Sequence, residues 1–326
     1  MLDTNAQRLL FGGDAEAGLN APERAAEVGR EVRAAEESFD SKRLAHPWVI
    51  AELLSHIVEP VGLNYRQCES AIAGAWAHSS QGGALYWLAE SEALLAQAFY
   101  GADIEFILSN YRLFNHLARI VAFGCEADRA EEEPTFEAVR RQVDAAENRF
   151  ANDILRHVVR GIDPNSTSWR LFSEDKDARK EALEWLDSDS ALGYVAMSYV
   201  VKAAAIADAD PSQDPDLLGK AKMVRARATS SLEMYRSLVR KLIVSGADMT
   251  KAKHRNTLWD IQIIFGVGQP VAEREMTLVT SDKGMLAAAA SAGARSHVLH
   301  TAEYLRALQL KPEDYLASKH CQSPAA

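Results

Sequence analysis

The chain has 326 residues, a formal net charge of −10, 48% hydrophobic and 25% charged residues, the composition of a globular protein whose core needs no staples. It holds no run of 18 uncharged apolar residues and no basic segment leading into an apolar one at its start, so neither a membrane span nor a signal peptide is expected. Its three cysteines, Cys68, Cys125 and Cys321, are widely separated and lack metal-site spacing, which suggests reduced thiols and a cytoplasmic protein.

In chain order, a very short apolar start reaches Asp3 and a helical stretch follows. Gly12, Gly13, Gly18 and the Asn20-Ala-Pro break make the segment to about residue 25 loop-rich. A charged helix is predicted over 22–39. The segment 43–54 then reads as a short strand running into a helix, with Pro47 in its first turn. From about 60 to 250 apolar residues recur at three- and four-residue spacing, in segments 68–77, 85–100, 104–123, 136–159, 179–207 and 217–244. The breaks fall at Gly82, Gly101, Gly124, Gly161, 208–216 and Gly246, so this is an all-helical block without a fixed repeat. From His254 strand–helix alternation returns: a helix carrying Asp260, a strand 276–280, a helix 284–292, a strand 296–300, and a helix from Thr301 (its expected N-cap) to about 310. Trp76, Trp87, Trp169 and Trp185 fall on apolar-rich stretches and read as core.

The charge is uneven. Residues 217–255 hold ten basic and two acidic residues, an excess of +8 that leaves −18 on the rest. A local basic block can grip a phosphate backbone even in an acidic protein, although a solvated Arg-rich helix face explains such a run equally well.

Four carboxylates sit where each would aim at one spot: Asp3 and Asp282 directly after short β-like runs, Glu52 and Asp260 inside amphipathic helical stretches. In open parallel sheets, sites lie at the carboxyl ends of strands, and clustered carboxylates there hold Mg²⁺ or Mn²⁺ for phosphodiester chemistry. One strand-end carboxylate alone is better read as a helix cap. Glu52 between Ala51 and Leu53, and Asp260 between Trp259 and Ile261, are less easily dismissed, because a carboxylate flanked by apolar side chains is costly unless paired.

These segments, with 278–286 (Leu-Val-Thr-Ser-Asp-Lys-Gly-Met-Leu), followed by a Val-containing strand and Thr301-Ala-Glu-Tyr-Leu, the most specific, resemble in order and context the four acidic positions of PIN-domain nucleases. The resemblance covers residues 1–58 and 254–313, 118 in all, with 59–253 as a helical insertion and 314–326 as a tail. It departs in one respect: only Met1 and Leu2 precede Asp3, so the first strand is expected to be stunted or the true start to lie upstream. The resemblance implies an α/β fold, a three-layer α/β/α arrangement around a central parallel sheet, interrupted by the helical insert. It implies a Mg²⁺- or Mn²⁺-dependent endoribonuclease acting on RNA, or less directly on single-stranded DNA, of the kind found among toxins and phage-defence proteins. Asp3, Asp260 and Asp282 would bind metal directly, and Glu52 would bind a second ion or orient the water. Thr4, Asn5, Asn256 and Ser281 would support them, with Arg240, Lys241, Lys251, Lys253, His254 and Arg255 along the nucleic acid. A non-catalytic scaffold and a metal-dependent nucleotide phosphohydrolase are the competing readings. A homo-oligomer and an inhibitory protein partner stay open.

Overall fold

The computed structural model describes residues 1–12, 21–159, 162, 168–249, 251–271, 274–317 and 320, without the side chains of 252, 253, 270 and 271. Seventeen α-helices carry the fold among these residues. The breakers at Gly13, Gly18, Asn20 and Gly161, the side chain of Lys253, Cys321 and most of the C-terminal tail lie outside the described residues.

The helical reading of the middle of the chain holds, with finer breaks than the periodicity suggests. The expected 179–207 helix is two, Lys176–Asp187 and Asp189–Ile206, because the Ser188 hydroxyl turns back to cap Ala191 N–H at 3.2 Å. The expected 217–244 helix divides at Ala228, and 104–123 divides into Ile104–Ser109 and Arg112–Phe123. The longest, Glu133–Val159, runs unbroken for 27 residues. A two-residue hairpin pairing Ser80–Gln81 with Ala84–Leu85 and another pairing Pro270–Val271 with Arg274–Glu275 were not signalled by sequence. The strand expected at 43–46 shrinks to one bridge between Ala45 and Trp87, followed by the predicted helix, Pro47–Ser55.

The three-layer α/β/α expectation is overturned. Among the described residues the strands that pair in parallel are Leu278–Thr280 and Val298–His300, three residues each, with Leu2 adding a single parallel bridge to Val279. A strand of three residues presents one or two side chains per face, too few to seat a layer of helices on either side. The helices therefore pack on one another. One hydrophobic cluster runs from Ala45 through Phe136, Phe172 and Tyr235 to Val298, so the helical middle and the C-terminal segments share a core. Among the described residues, no helix is long and apolar enough to cross a membrane.

Close packing near the N-terminus fixes the first helix. A Cβ on Gly29 would fall 2.4 Å from the Gly74 carbonyl oxygen, and one on Gly74 would fall 2.3 Å from the Phe11 ring. These glycines let the Ala21–Glu37 and Leu63–Ser79 helices touch backbone to backbone and leave room for Phe11, the last residue of the Thr4–Phe11 helix. That anchors the helix whose N-cap is Asp3.

Candidate functional site

The short parallel pair and the Leu2 bridge set two carboxylates side by side. Asp3 follows Leu2 and donates its N–H to the Val279 carbonyl at 3.0 Å. Its Oδ1 caps the Thr4–Phe11 helix, accepting from Ala6 N–H at 2.6 Å. Its Oδ2 is buried, and among the described residues no group meets hydrogen-bond geometry with it. Asp282 repeats the arrangement one strand over: its Oδ1 accepts from Met285 N–H at 2.8 Å at the start of the Lys283–Ser291 helix, and its own N–H donates to Thr280 Oγ1 at 2.9 Å. The helix-cap reading of both residues is thus correct, and it uses only one oxygen of each.

Glu52 arrives from the Pro47–Ser55 helix, where Oε2 accepts the Thr4 hydroxyl at 2.5 Å. Asp260 arrives from the Ala252–Ile263 helix. All four share one field. Burial first, then the charges of Asp282, Asp3 and Glu52, push the Asp260 carboxyl well above the usual carboxylate range, against the pull of Lys241. Burial raises Asp3 to about 7; the Thr280 hydroxyl and the Ala6 amide oppose the rise, and Asp282 and Glu52 add to it. Burial likewise raises Glu52, with Thr4, Arg8 and His56 opposing and Glu147 adding. A cleft of about 30 Å³ is lined by Asp3, Asn5, Arg8, Glu52, Asn256 and Asp260, with Trp48 and Trp259 on its wall. Asp282 opens instead onto an adjoining polar cavity that shares Asn5 and Arg8.

The other predicted residues divide. Thr4 holds Glu52, and Asn5 and Asn256 line the cleft. Ser281 gives its hydroxyl to a contact with Thr301 Oγ1 at 2.6 Å. Lys241 reaches the site: a Cβ on Gly284 would lie 2.5 Å from Lys241 Nζ and 2.9 Å from Asp282 Oδ1, so ammonium and carboxylate crowd the same space. Arg240, Lys251, His254 and Arg255 each have a partner of their own among the described residues. Arg240 pairs with Asp187, Lys251 stands 3.7 Å from Asp248, and His254 Nδ1 accepts the Asp248 N–H at 2.8 Å. Arg255 lies 3.5 Å from Glu147. The C-terminal helix is capped by His300, one residue before the expected Thr301.

Sequence reading missed Arg8, Glu147 and the aromatic wall. Arg8 donates to Cys68 Sγ at 3.2 Å while its Nε is buried without a partner among the described residues. Glu147 accepts the Trp259 indole N–H at 2.8 Å. Arg8 lies four residues after Thr4, a spacing that a helical wheel could have placed beside the site; Glu147 comes from the middle of the chain and carried no signal.

Among the described residues, no group of three or more His, Cys, Asp or Glu is placed so as to hold a metal ion. The donor chemistry nevertheless fits a hard divalent cation: carboxylate oxygens, one of them buried and orphaned, whose mutual repulsion a dication would relieve. No protein-family model matches the chain, and neither a curated protein nor a solved structure matches it.

Proposed function

We propose that the chain is a divalent-cation-dependent nuclease that hydrolyses phosphodiester bonds at the cleft lined by Asp3, Glu52 and Asp260, with Asp282 on the adjoining cavity. The supporting observation is that four carboxylates from four separate elements share one partly buried field, in which Asp282, Asp3 and Glu52 add to the rise of Asp260, and Asp282 and Glu52 add to that of Asp3. Structural carboxylates are ordinarily paired or solvated; holding several together unpaired costs stability and is a mark of function.

In this reading Asp3, Asp260 and Asp282 hold Mg²⁺ or Mn²⁺, which when bound supplies an activated water and neutralises charge on the phosphate. Glu52, steadied by Thr4, faces the same cleft and takes up or orients a proton-bearing water. Lys241 and Arg8 flank the acids and meet the phosphate's negative charge. RNA as the substrate rests on the resemblance to PIN-domain nucleases alone; nothing in these side chains reads a 2′-hydroxyl.

The test is cleavage of mixed RNA and single-stranded DNA with Mn²⁺ or Mg²⁺ by wild type, Asp260→Asn and Asp282→Asn. The expected result is metal-dependent cutting lowered at least about 100-fold by either substitution, the scale on which removal of a charge-stabilising group acts. Folded wild type that cuts neither polymer would replace this reading with a non-catalytic scaffold.

A further inference from the structure

The acidic cleft is too small for more than a reacting phosphate, but its wall has a second side. Trp48 lines the cleft beside Glu52 and Asp260, and also lines a neighbouring groove of about 390 Å³ walled by Phe106, Tyr111 and Phe114. The groove lies where the Pro47–Ser55, Ile104–Ser109, Arg112–Phe123 and Glu133–Val159 helices meet, and its size is that of a small-molecule pocket.

Three features set it apart from a gap in packing. Phe106 is 69% exposed, although a ring of that size gains about 2 kcal/mol or more from burial. Trp48 is held by neighbours at fixed angles, edge-on to Phe150 at 5.5 Å and tilted against Trp259 at 5.5 Å, and its side chain hydrogen-bonds Glu90. Tyr111 and Phe114 lie nearly parallel, 9° apart. At the rim, Asn110 and Gln142 present amides whose side chains make no hydrogen bond among the described residues. Each amide offers a donor and an acceptor.

The geometry points to a binding subsite for an unpaired nucleobase in the groove between Trp48 and Phe106, next to the acidic cleft. Aromatic faces accept any base, because every base has a π-face, and amides match the mixed donor and acceptor edges that unpaired bases expose. A base in a duplex is stacked on its neighbours and cannot enter. The subsite therefore selects single strands, and through Trp48 it positions the backbone next to the base at the carboxylates. This rests on the proposed nuclease reading for its purpose, and its test is independent of cleavage.

The experiment measures fluorescence anisotropy of a short labelled single-stranded RNA, and of the same strand in a duplex, against the full chain in EDTA. Wild type should bind the single strand at least tenfold more tightly than the duplex. Phe106→Ala, a change at an exposed position that leaves the core intact, should weaken single-strand binding about five- to tenfold or more, the contribution of stacking one base. Phe123→Ala, 71% exposed at the end of another helix, should not. No single-strand binding, equal binding of the duplex, or no effect of Phe106→Ala would overturn the subsite. The two readings fail separately. Binding lost in Phe106→Ala without metal-dependent cutting would sink the nuclease and keep the subsite. Cutting abolished in Asp260→Asn with binding unchanged in Phe106→Ala would do the reverse.

Discussion

Two buried carboxylates on either side of the short parallel strands make opposite use of burial. Glu36 is 8% exposed, and both oxygens are engaged: Oε1 accepts the Tyr304 hydroxyl at 2.7 Å and Oε2 meets His78 Nε2 at 2.9 Å. His78 in turn contacts the Ser79 hydroxyl through Nδ1 at 2.8 Å. Although burial pushes the Glu36 carboxyl up, the His78 charge and the bonds from His78 and Tyr304 outweigh it and hold it below its usual range. Asp3, 2% exposed, has one oxygen in a helix cap and the other without a hydrogen-bond partner among the described residues, and burial raises it to about 7 against the pull of the Thr280 hydroxyl. Burial sets the size of the stakes, and the partners decide the sign. Glu36 fastens the Ala21–Glu37 helix to the C-terminal helix, whereas Asp3 spends one oxygen on a helix cap and its ionisation is opposed by burial.

The comparison can be broken by removing each carboxylate. Glu36→Ala leaves His78 and the Tyr304 hydroxyl buried without their acceptor and should cost about 3 kcal/mol at neutral pH, read from urea unfolding. Because the folded-state proton affinity of Glu36 is lowered, its contribution is fully present above the unfolded value of 4.5 and is lost as pH falls through the folded one, so the cost should shrink in acid. A loss independent of pH would mean that Glu36 acts by packing alone.

Asp3→Asn should move the other way. Asparagine keeps the helix cap, and it removes a carboxyl whose ionisation the fold opposes. The rise from 3.8 to about 7 bounds the gain at about 4 kcal/mol, and relaxation of the neighbours brings the expected value to about 1–3 kcal/mol at about pH 8. Here the folded-state value is raised, so the wild-type penalty grows as pH climbs from about 4 to about 7, and the gain should vanish below about pH 4. A variant less stable than wild type at pH 8 would show that Asp3 is an ordinary structural carboxylate and remove the contrast with Glu36.

How far the sequence reveals this arrangement follows from the range of the interactions involved. Asp3, Asp282 and their helices were legible because a strand end running into a capped helix is a local pattern, written within five residues. The helical middle was legible from its apolar spacing. The parallel sheet was inferred from the same strand ends and failed, since Leu278–Thr280 and Val298–His300 stop after three residues and Leu2 supplies only a bridge. Alternation over so few positions cannot tell a sheet from a pair of extended connectors. Glu147 and Trp48 reach the site through helix–helix packing, which no local spacing encodes. The basic run is divided in the same way: Arg240 and Arg255 meet acidic residues of other helices, Lys251 lies near Asp248 three residues before it, and Lys241 reaches the cluster.

Lys241 allows the smallest and most discriminating change. Its ammonium crowds Asp282 Oδ1 and lowers the proton affinity of Asp260. Lys241→Met keeps the length of the side chain and removes the charge, so Asp260 should hold its proton to higher pH. Metal-dependent cleavage near pH 7 should fall about three- to tenfold, a modest effect because the residue is exposed and its charge is screened. If Lys241 acts by keeping Asp260 ionised, the pH–rate profile moves to higher pH and activity recovers in alkali. If it acts by gripping the phosphate, the loss persists at every pH and appears in KM. Recovery at high pH would extend the contrast with Glu36: hydrogen bonds and the His78 charge hold one buried carboxyl below its usual range, whereas a single ammonium only tempers the rise of the other.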